Sequence, residues 1–288
     1  MPTMPRPLGI ALAAALSLTA GFSKAGAAAV GMVDNPCMVS TAPPQAMVDD
    51  FKSVYATPPG KPRPAPSPEA IAAQQKMRSL DLTKTDWANL CRYRADDARL
   101  AALPANAREV VFMGDSITEL WAVAHPGFFT QGRVDRGISG QTTPQMLVRF
   151  EADVVALRPR VVHILGGTND IAGNTGPNSL DELQNNIVAM VTLAKARHIQ
   201  VILGSVPPAA KFTWAPNLSP APHVQKINAW LKTYAARTHL IYADYYSAMA
   251  APDGAMRADL TLDGVHPNAA GYAVMEPITR KAIAEALR

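Results

Sequence analysis

From residue 108 onward, short apolar runs alternate with stretches of helical periodicity. The runs are Val110-Val111-Phe112-Met113, Arg133 to Ile138, Val161-Val162-His163-Ile164-Leu165, Val201-Ile202-Leu203 and Leu240-Ile241-Tyr242. Runs this short, closed by glycine or polar turns, suit strands buried on both faces. Between the third and fourth, Leu183, Ile187, Val191 and Ala194 recur on one face and predict a helix over about 179–197. Further helices are predicted over about 222–238 and 268–287. Strands alternating with helices predict an α/β fold: a three-layer α/β/α sandwich on a five-stranded parallel sheet, flavodoxin-like in plan.

The pattern before residue 108 differs. Residues 28–67 read as an irregular, proline-rich arm, and Pro58 to Pro68 as an extended linker. Ser67 followed by Pro68 predicts a helix start, with Ser67 as N-cap and the helix running to about Ser79. A second helical stretch is expected over about Thr85 to Leu100. The predicted organisation is therefore residues 1–27, 28–67, a helical extension over 68–107, and a main domain over 108–288.

The first of these segments predicts an address. Arg6 precedes an apolar run from Ile10 to Phe22, and Ala25-Gly26-Ala27 is a small-x-small site, so cleavage before Ala28 and export are expected. That run is about 13 residues, short of the roughly 20 needed to span a bilayer, and no later run approaches that length without a charge or proline. No integral membrane span is expected in the mature chain. In an oxidising compartment the only two cysteines, Cys37 and Cys91, are expected to form one disulfide.

Composition narrows the function classes. Of the 288 residues 48% are hydrophobic and 17% charged, enough for a filled core and against disorder. The formal charge is +4, and the leader would carry off Arg6 and Lys24 with no acid. So small a surplus argues against nucleic-acid binding. No two histidines have metal-ligand spacing, and there is neither a phosphate-binding nor a dinucleotide-binding glycine loop, so no metal or cofactor is expected.

In open parallel sheets, chemistry gathers beyond the carboxyl ends of the strands. After the first strand stands Gly114-Asp115-Ser116-Ile117-Thr118, after the second Gly137-Ile138-Ser139-Gly140-Gln141, and after the third Gly166-Gly167-Thr168-Asn169-Asp170. Beyond the last strand lies Leu262-Asp263-Gly264-Val265-His266-Pro267. A serine hydroxyl needs a base to become a nucleophile, and an imidazole supplies one near neutral pH. A carboxylate holds that imidazole in the right tautomer. Ser116, at a predicted helix start, offers a free N–H; Gly140 offers another and Asn169 a side-chain amide. Three donors about one nucleophile suit a tetrahedral oxyanion.

These four blocks, in this order over about Arg108 to Arg288, resemble the SGNH hydrolases, or GDSL-type esterases, with Ile117 in place of the leucine of the older motif. The longer runs around Ser116 and from Gly166 to Gly176 resemble the branch of platelet-activating-factor acetylhydrolase-like and carbohydrate acetylesterase-like proteins. The resemblance implies Ser116 as nucleophile, His266 as general base and Asp263 as its orienting acid. It also implies an oxyanion hole of Ser116, Gly140 and Asn169, short acyl esters of carbohydrate or lipid as substrates, and no cofactor.

Each turn alone is unremarkable: Gly-Asp-Ser can be a helix cap, and the glycine turns need only be tight. Their conjunction carries the reading. An O-acyltransferase using the same site, a noncatalytic glycan-binding module and a phosphate-binding fold remain as alternatives. Asp115 and Asp170 are expected to bond within turns. His163 is expected in the core and His125, His198, His223 and His239 in loops or at helix ends. Trp121 and Trp214 could serve either packing or a substrate pocket.

Overall fold

The computed structural model describes residues 32–37, 41–58 and 61–288; the expected leader lies outside the described residues. Two compact units divide after Met38. In the first, residues 32–37 form neither helix nor strand.

The centre of the second unit is a five-stranded parallel sheet: β1 (Val110–Gly114), β2 (Arg133–Gly137), β3 (Val161–Leu165), β4 (Gln200–Gly204) and β5 (Ile241–Ala243). The order β2-β1-β3-β4-β5 is that of the flavodoxin-like fold. Every strand lies within two residues of its predicted run. Alternation sorts the strand residues between two cores. Val111, Met113, Val162, Ile164, Val201 and Leu203 face one layer, built largely by α6 (Thr143–Asp153), α8 (Leu180–Ala196) and α9 (Pro220–Thr238). Val110, Phe112, Val161, Leu165 and Ile202 face the other, built largely by α5 (Ser116–Ala124) and α11 (Ala269–Ala286). The expected three-layer sandwich is therefore present.

Two short helices, α7 (Thr168–Ala172) and α10 (Tyr245–Met249), follow β3 and β5. Trp121 is core: it stacks on Phe128 at 4.9 Å and meets Phe112 edge-on at 6.0 Å. His163 is fully buried and bonded to the Tyr245 hydroxyl at 2.8 Å.

The N-terminal region departs from expectation in two places. Residues 28–67 are not all irregular, because α1 (Gln45–Ala56) forms there. Met47, Phe51, Val54 and Tyr55 recur at helical spacing, and Tyr55 is buried against Tyr272, ring centroids 6.0 Å apart. The helix α2 (Pro68–Ser79) starts as predicted, the Ser67 hydroxyl accepting the Ala70 N–H. The expected single helix over Thr85 to Leu100 is instead a short α3 (Leu82–Thr85) and α4 (Arg94–Ala101). Between them the Asp86 carboxylate accepts the N–H groups of Leu90 and Cys91, and Asn89 takes a positive φ of 56°. A side chain that satisfies backbone donors locally competes with the helix ladder. Cys37 and Cys91 are both disulfide-bonded. Among the described residues no helix is long and apolar enough to cross a membrane.

Candidate active site

The sheet order reverses between β1 and β3, so the loops after these strands part and leave a crevice. Ser116 is the first residue of α5, immediately after β1. Asp115 caps that helix, its carboxylate accepting the Ile117 N–H at 2.9 Å. Gly114 permits the tight junction: a Cβ there would fall 2.0 Å from the Thr118 hydroxyl and 2.8 Å from the Leu165 carbonyl.

The loop before α11 supplies the base. His266 Nε2 lies 2.9 Å from Ser116 Oγ, and its Nδ1 lies 2.8 Å from Asp263 Oδ2. Burial raises the Asp263 pKa, but the hydrogen bond and charge of His266 and the N–H groups of His266 and Val265 outweigh it and hold the carboxyl at about 2. An ionised carboxylate can only accept, so Nδ1 carries the proton and Nε2 presents its lone pair to the serine hydroxyl. The Thr261 hydroxyl locks the loop by donating to the His266 carbonyl and accepting the Gly264 N–H.

Facing Ser116 are two further strand-end loops. Gly140, after β2, has a φ of 81°, a conformation that glycine adopts at little cost. Neither its N–H nor that of Ser116 has an acceptor among the described residues. Asn169, in the first turn of α7, is buried; its Nδ2 donates to the Gln141 carbonyl at 2.9 Å and lies 3.4 Å from Asp115 Oδ2. One amide hydrogen is thus well engaged, and the other has only a long, weak partner. Burial pushes Asp115 up to about 6, against the Ile117 N–H and the His266 charge, which pull it down; nearby Asp170 adds to the rise.

Two residues that sequence reasoning did not single out hold these loops. Asn174 Nδ2 donates to Asn169 Oδ1 at 2.9 Å and to the Gly140 carbonyl at 3.1 Å, tying the second and third turns together. It stands inside the polar block that follows β3, which was its available signal. Arg149, fully buried on α6, donates to the Gly114 carbonyl, to Gln141 Oε1 and to Asp153 Oδ2. Its position four residues before Asp153, on an otherwise apolar face, was the trace in the sequence. Glu119 accepts from the Ser139 N–H and hydroxyl while paired with Arg92. Asp170, expected to bond within its turn, instead reaches across to the start of α6, where it accepts from the Thr143 N–H and hydroxyl, and it also accepts from the Asn178 amide.

A cleft of about 540 Å³ opens over Ser116, lined on the domain side by Leu120, Gly140, Asn169, Trp214, Leu262 and His266. Of the two tryptophans, Trp214 is therefore the one at the cleft. Such an arrangement can deprotonate a hydroxyl, neutralise a developing oxyanion and do both without a metal.

Residues 112–274 match the family model of the GDSL-like lipase/acylhydrolase family, more than half of the chain. The chain belongs to this family. A solved structure assigned as an acylhydrolase from Bacteroides fragilis is 48% identical, with a TM-score of 0.69, covering 71% of this chain and all of that one. A GDSL-like lipase from Bacteroides thetaiotaomicron is 44% identical, with a TM-score of 0.67, over 70% of this chain and all of that one. An acetyl-xylooligosaccharide esterase from Geobacillus stearothermophilus, 22% identical with a TM-score of 0.50 over 61% of this chain and 94% of its own, shares the fold. Comparison with curated proteins finds no match. This GDSL-like acylhydrolase is a carboxylic ester hydrolase, as the expected family implied. The family match begins at residue 112, so α1, the proline-rich segment and α2 to α4 lie outside the matched stretch.

Proposed function

We propose that this acylhydrolase is an exported serine esterase in which Ser116, His266 and Asp263 act as nucleophile, general base and orienting acid. The observation that carries the reading is the unbroken relay from Ser116 Oγ through both ring nitrogens of His266 to Asp263. Ser116 Oγ attacks the ester carbonyl carbon while His266 Nε2 takes its proton. The tetrahedral oxyanion accepts from the Ser116 and Gly140 N–H groups and from the Asn169 amide. Collapse expels the alcohol, to which His266 returns the proton. Water, deprotonated in turn by His266, releases the acid from the acyl-serine and regenerates the hydroxyl.

Asp263 stays ionised throughout and stabilises the imidazolium that forms twice per cycle. An acyl-enzyme of this kind needs no cofactor. Short acyl esters borne by carbohydrate or lipid are the substrates we infer, from the branch that the site motifs resemble. Export is supported by the N-terminal pattern of charge, apolar run and small-residue site, and by the disulfide bonding of both cysteines.

Hydrolysis of 4-nitrophenyl acetate, butyrate and octanoate tests the reading, run beside Ser116→Ala. Turnover that is highest for acetate and absent in the variant is the expected result. Equal turnover by wild type and variant would overturn it.

A further inference from the structure

Five residues of the N-terminal arm line the same cleft as Ser116 and His266: Phe51 and Val54 from α1, and Arg63, Pro64 and Pro66 from the proline-rich segment. The arm therefore builds a wall of the site, although it lies outside the stretch that matches the family. It is anchored. Tyr55 is buried in the aromatic core beside Tyr272, and Asp50 Oδ2 accepts the Ser67 N–H at 2.9 Å. These two contacts hold α1 and the start of α2 at either end of the segment that carries Arg63. Prolines at 62, 64 and 66 stiffen the segment between those anchors.

Charge in the cleft is lopsided. Among its lining residues the ionisable side chains are Arg63, Asp263 and His266. Asp263 is engaged by the His266 ring and by two backbone N–H groups. Glu119, just behind the second turn, is taken by Ser139 and Arg92. Arg63 has neither an ion pair nor a hydrogen bond to any described residue. Arg63, which lines this cleft and the neighbouring one that holds Lys61 and Asp259, thus carries a permanently charged fork with its donors unused.

We propose, resting on the esterase reading, that Arg63 is a specificity-determining residue that selects esters carrying an anionic oxygen group near the scissile bond. The group is a carboxylate or a phosphate on the leaving alcohol or on the acyl part. Planar N–H pairs of arginine match either, and a charge-assisted hydrogen bond formed in a cleft partly walled from water outweighs one at an open surface. The apolar arm residues around Arg63 leave it the polar group of that wall. Arg63 acts on binding and does not take part in the bond changes at Ser116.

The test uses three acetyl esters of matched shape: 4-acetoxybenzoate, its neutral methyl ester, and 4-acetoxyphenyl phosphate. Each kcat/KM is divided by the rate constant for hydroxide-catalysed hydrolysis of the same ester. Wild type is expected to prefer one or both anionic esters over the neutral one by about 5- to 20-fold, mostly through KM, with the preference shrinking as salt rises. Whichever anion gains more identifies the source of the charge. Arg63→Gln should erase the preference while leaving the neutral ester within about twofold of wild type, and Arg63→Glu should invert it. Arg63 is exposed, so its variants keep the fold, which matched thermal melts would verify. A ratio unchanged within twofold between wild type and Arg63→Gln, with all esters still hydrolysed, overturns this proposal and leaves the esterase reading standing. No hydrolysis of any ester by the folded wild type would remove both.

Discussion

Ser116 and His266 stand 150 residues apart in the chain and 2.9 Å apart in the fold. One begins the helix after β1, the other lies in the loop before the last helix. Closing so long a loop is made affordable by the sheet and the two cores, which fix both ends independently. The first expectation follows from that contact. Ser116→Ala and His266→Ala should each lower kcat by about 10⁴-fold or more, and combining them should add little, because they act as one unit. Asp263→Asn should cost about 10³- to 10⁴-fold, since the amide no longer dictates which ring nitrogen holds the proton. Steady-state kinetics on 4-nitrophenyl acetate, with melting temperatures as a control, checks all three.

The proposed oxyanion donors separate by kind. Asn169→Ala should lower kcat about 10²- to 10³-fold with a small change in KM. Asn174→Ala should cost less, about tenfold, because it positions Asn169 and the Gly140 loop and does not reach the oxyanion itself. Gly140→Ala meets no crowding, the nearest atom to a new Cβ being Asn174 Nδ2 at 3.9 Å. Its penalty comes from the φ of 81°, about 1 kcal/mol of backbone strain. Chemical denaturation and kcat measured on the same three proteins would rank them, and an Asn174→Ala loss exceeding that of Asn169→Ala would contradict the assignment.

Buried Asp115 makes stability depend on pH. Its folded pKa, about 6, lies above the ordinary 3.8. The unfolded chain therefore ionises first, and the stability that the protonated form contributes is complete below pH 3.8 and is lost as pH rises through about 6. Asp115→Asn cannot ionise. Its stability relative to wild type should rise between pH 4 and pH 7, by at most about 3 kcal/mol at 1.36 kcal/mol per pKa unit. Asp263 runs the other way, because its folded pKa is depressed to about 2: its contribution is present above 3.8 and is lost as pH falls through about 2. Urea midpoints of wild type and Asp115→Asn across this range test the sign, and a constant difference would contradict it.

Arg149 should matter for folding more than its distance from the chemistry suggests. Replacing it with Met leaves Asp153 buried without its cation and takes from the Gly114 carbonyl one of its two donors, the other being the Ile138 N–H. A loss of about 3–5 kcal/mol is expected. Adding Asp153→Asn should recover part of it, and the double-mutant cycle by chemical denaturation measures how much.

How far the sequence could be read depends on where each feature gets its meaning. A parallel strand buried on both faces is a local apolar run, so Val161 to Leu165 is legible without any partner. Ser116, Gly140, Asn169, Asp263 and His266 were legible because each falls in a turn beyond a strand or before a helix, where residue type and position speak together. The helix Gln45–Ala56 was hidden by the prolines flanking it, although Met47, Phe51, Val54 and Tyr55 carry its stripe. The break at Asp86 depends on one carboxylate reaching two N–H groups, which a periodicity cannot reveal. Asn174 and Arg149 take their roles from partners brought near by folding, Arg149 reaching back 35 residues to Gly114. The arm as a wall of the cleft is likewise a tertiary fact, invisible in the segment's composition.

The central claim is that Ser116 is an activated nucleophile, and covalent labelling tests it without any guess at the substrate. The protein is incubated with a fluorophosphonate, then intact mass and peptide mapping are recorded beside Ser116→Ala and His266→Ala. The account predicts one adduct per chain, on Ser116, absent from the first variant and slowed at least a hundredfold in the second. A folded wild type that takes up no adduct, or one whose adduct lies on another residue and persists in Ser116→Ala, would contradict it.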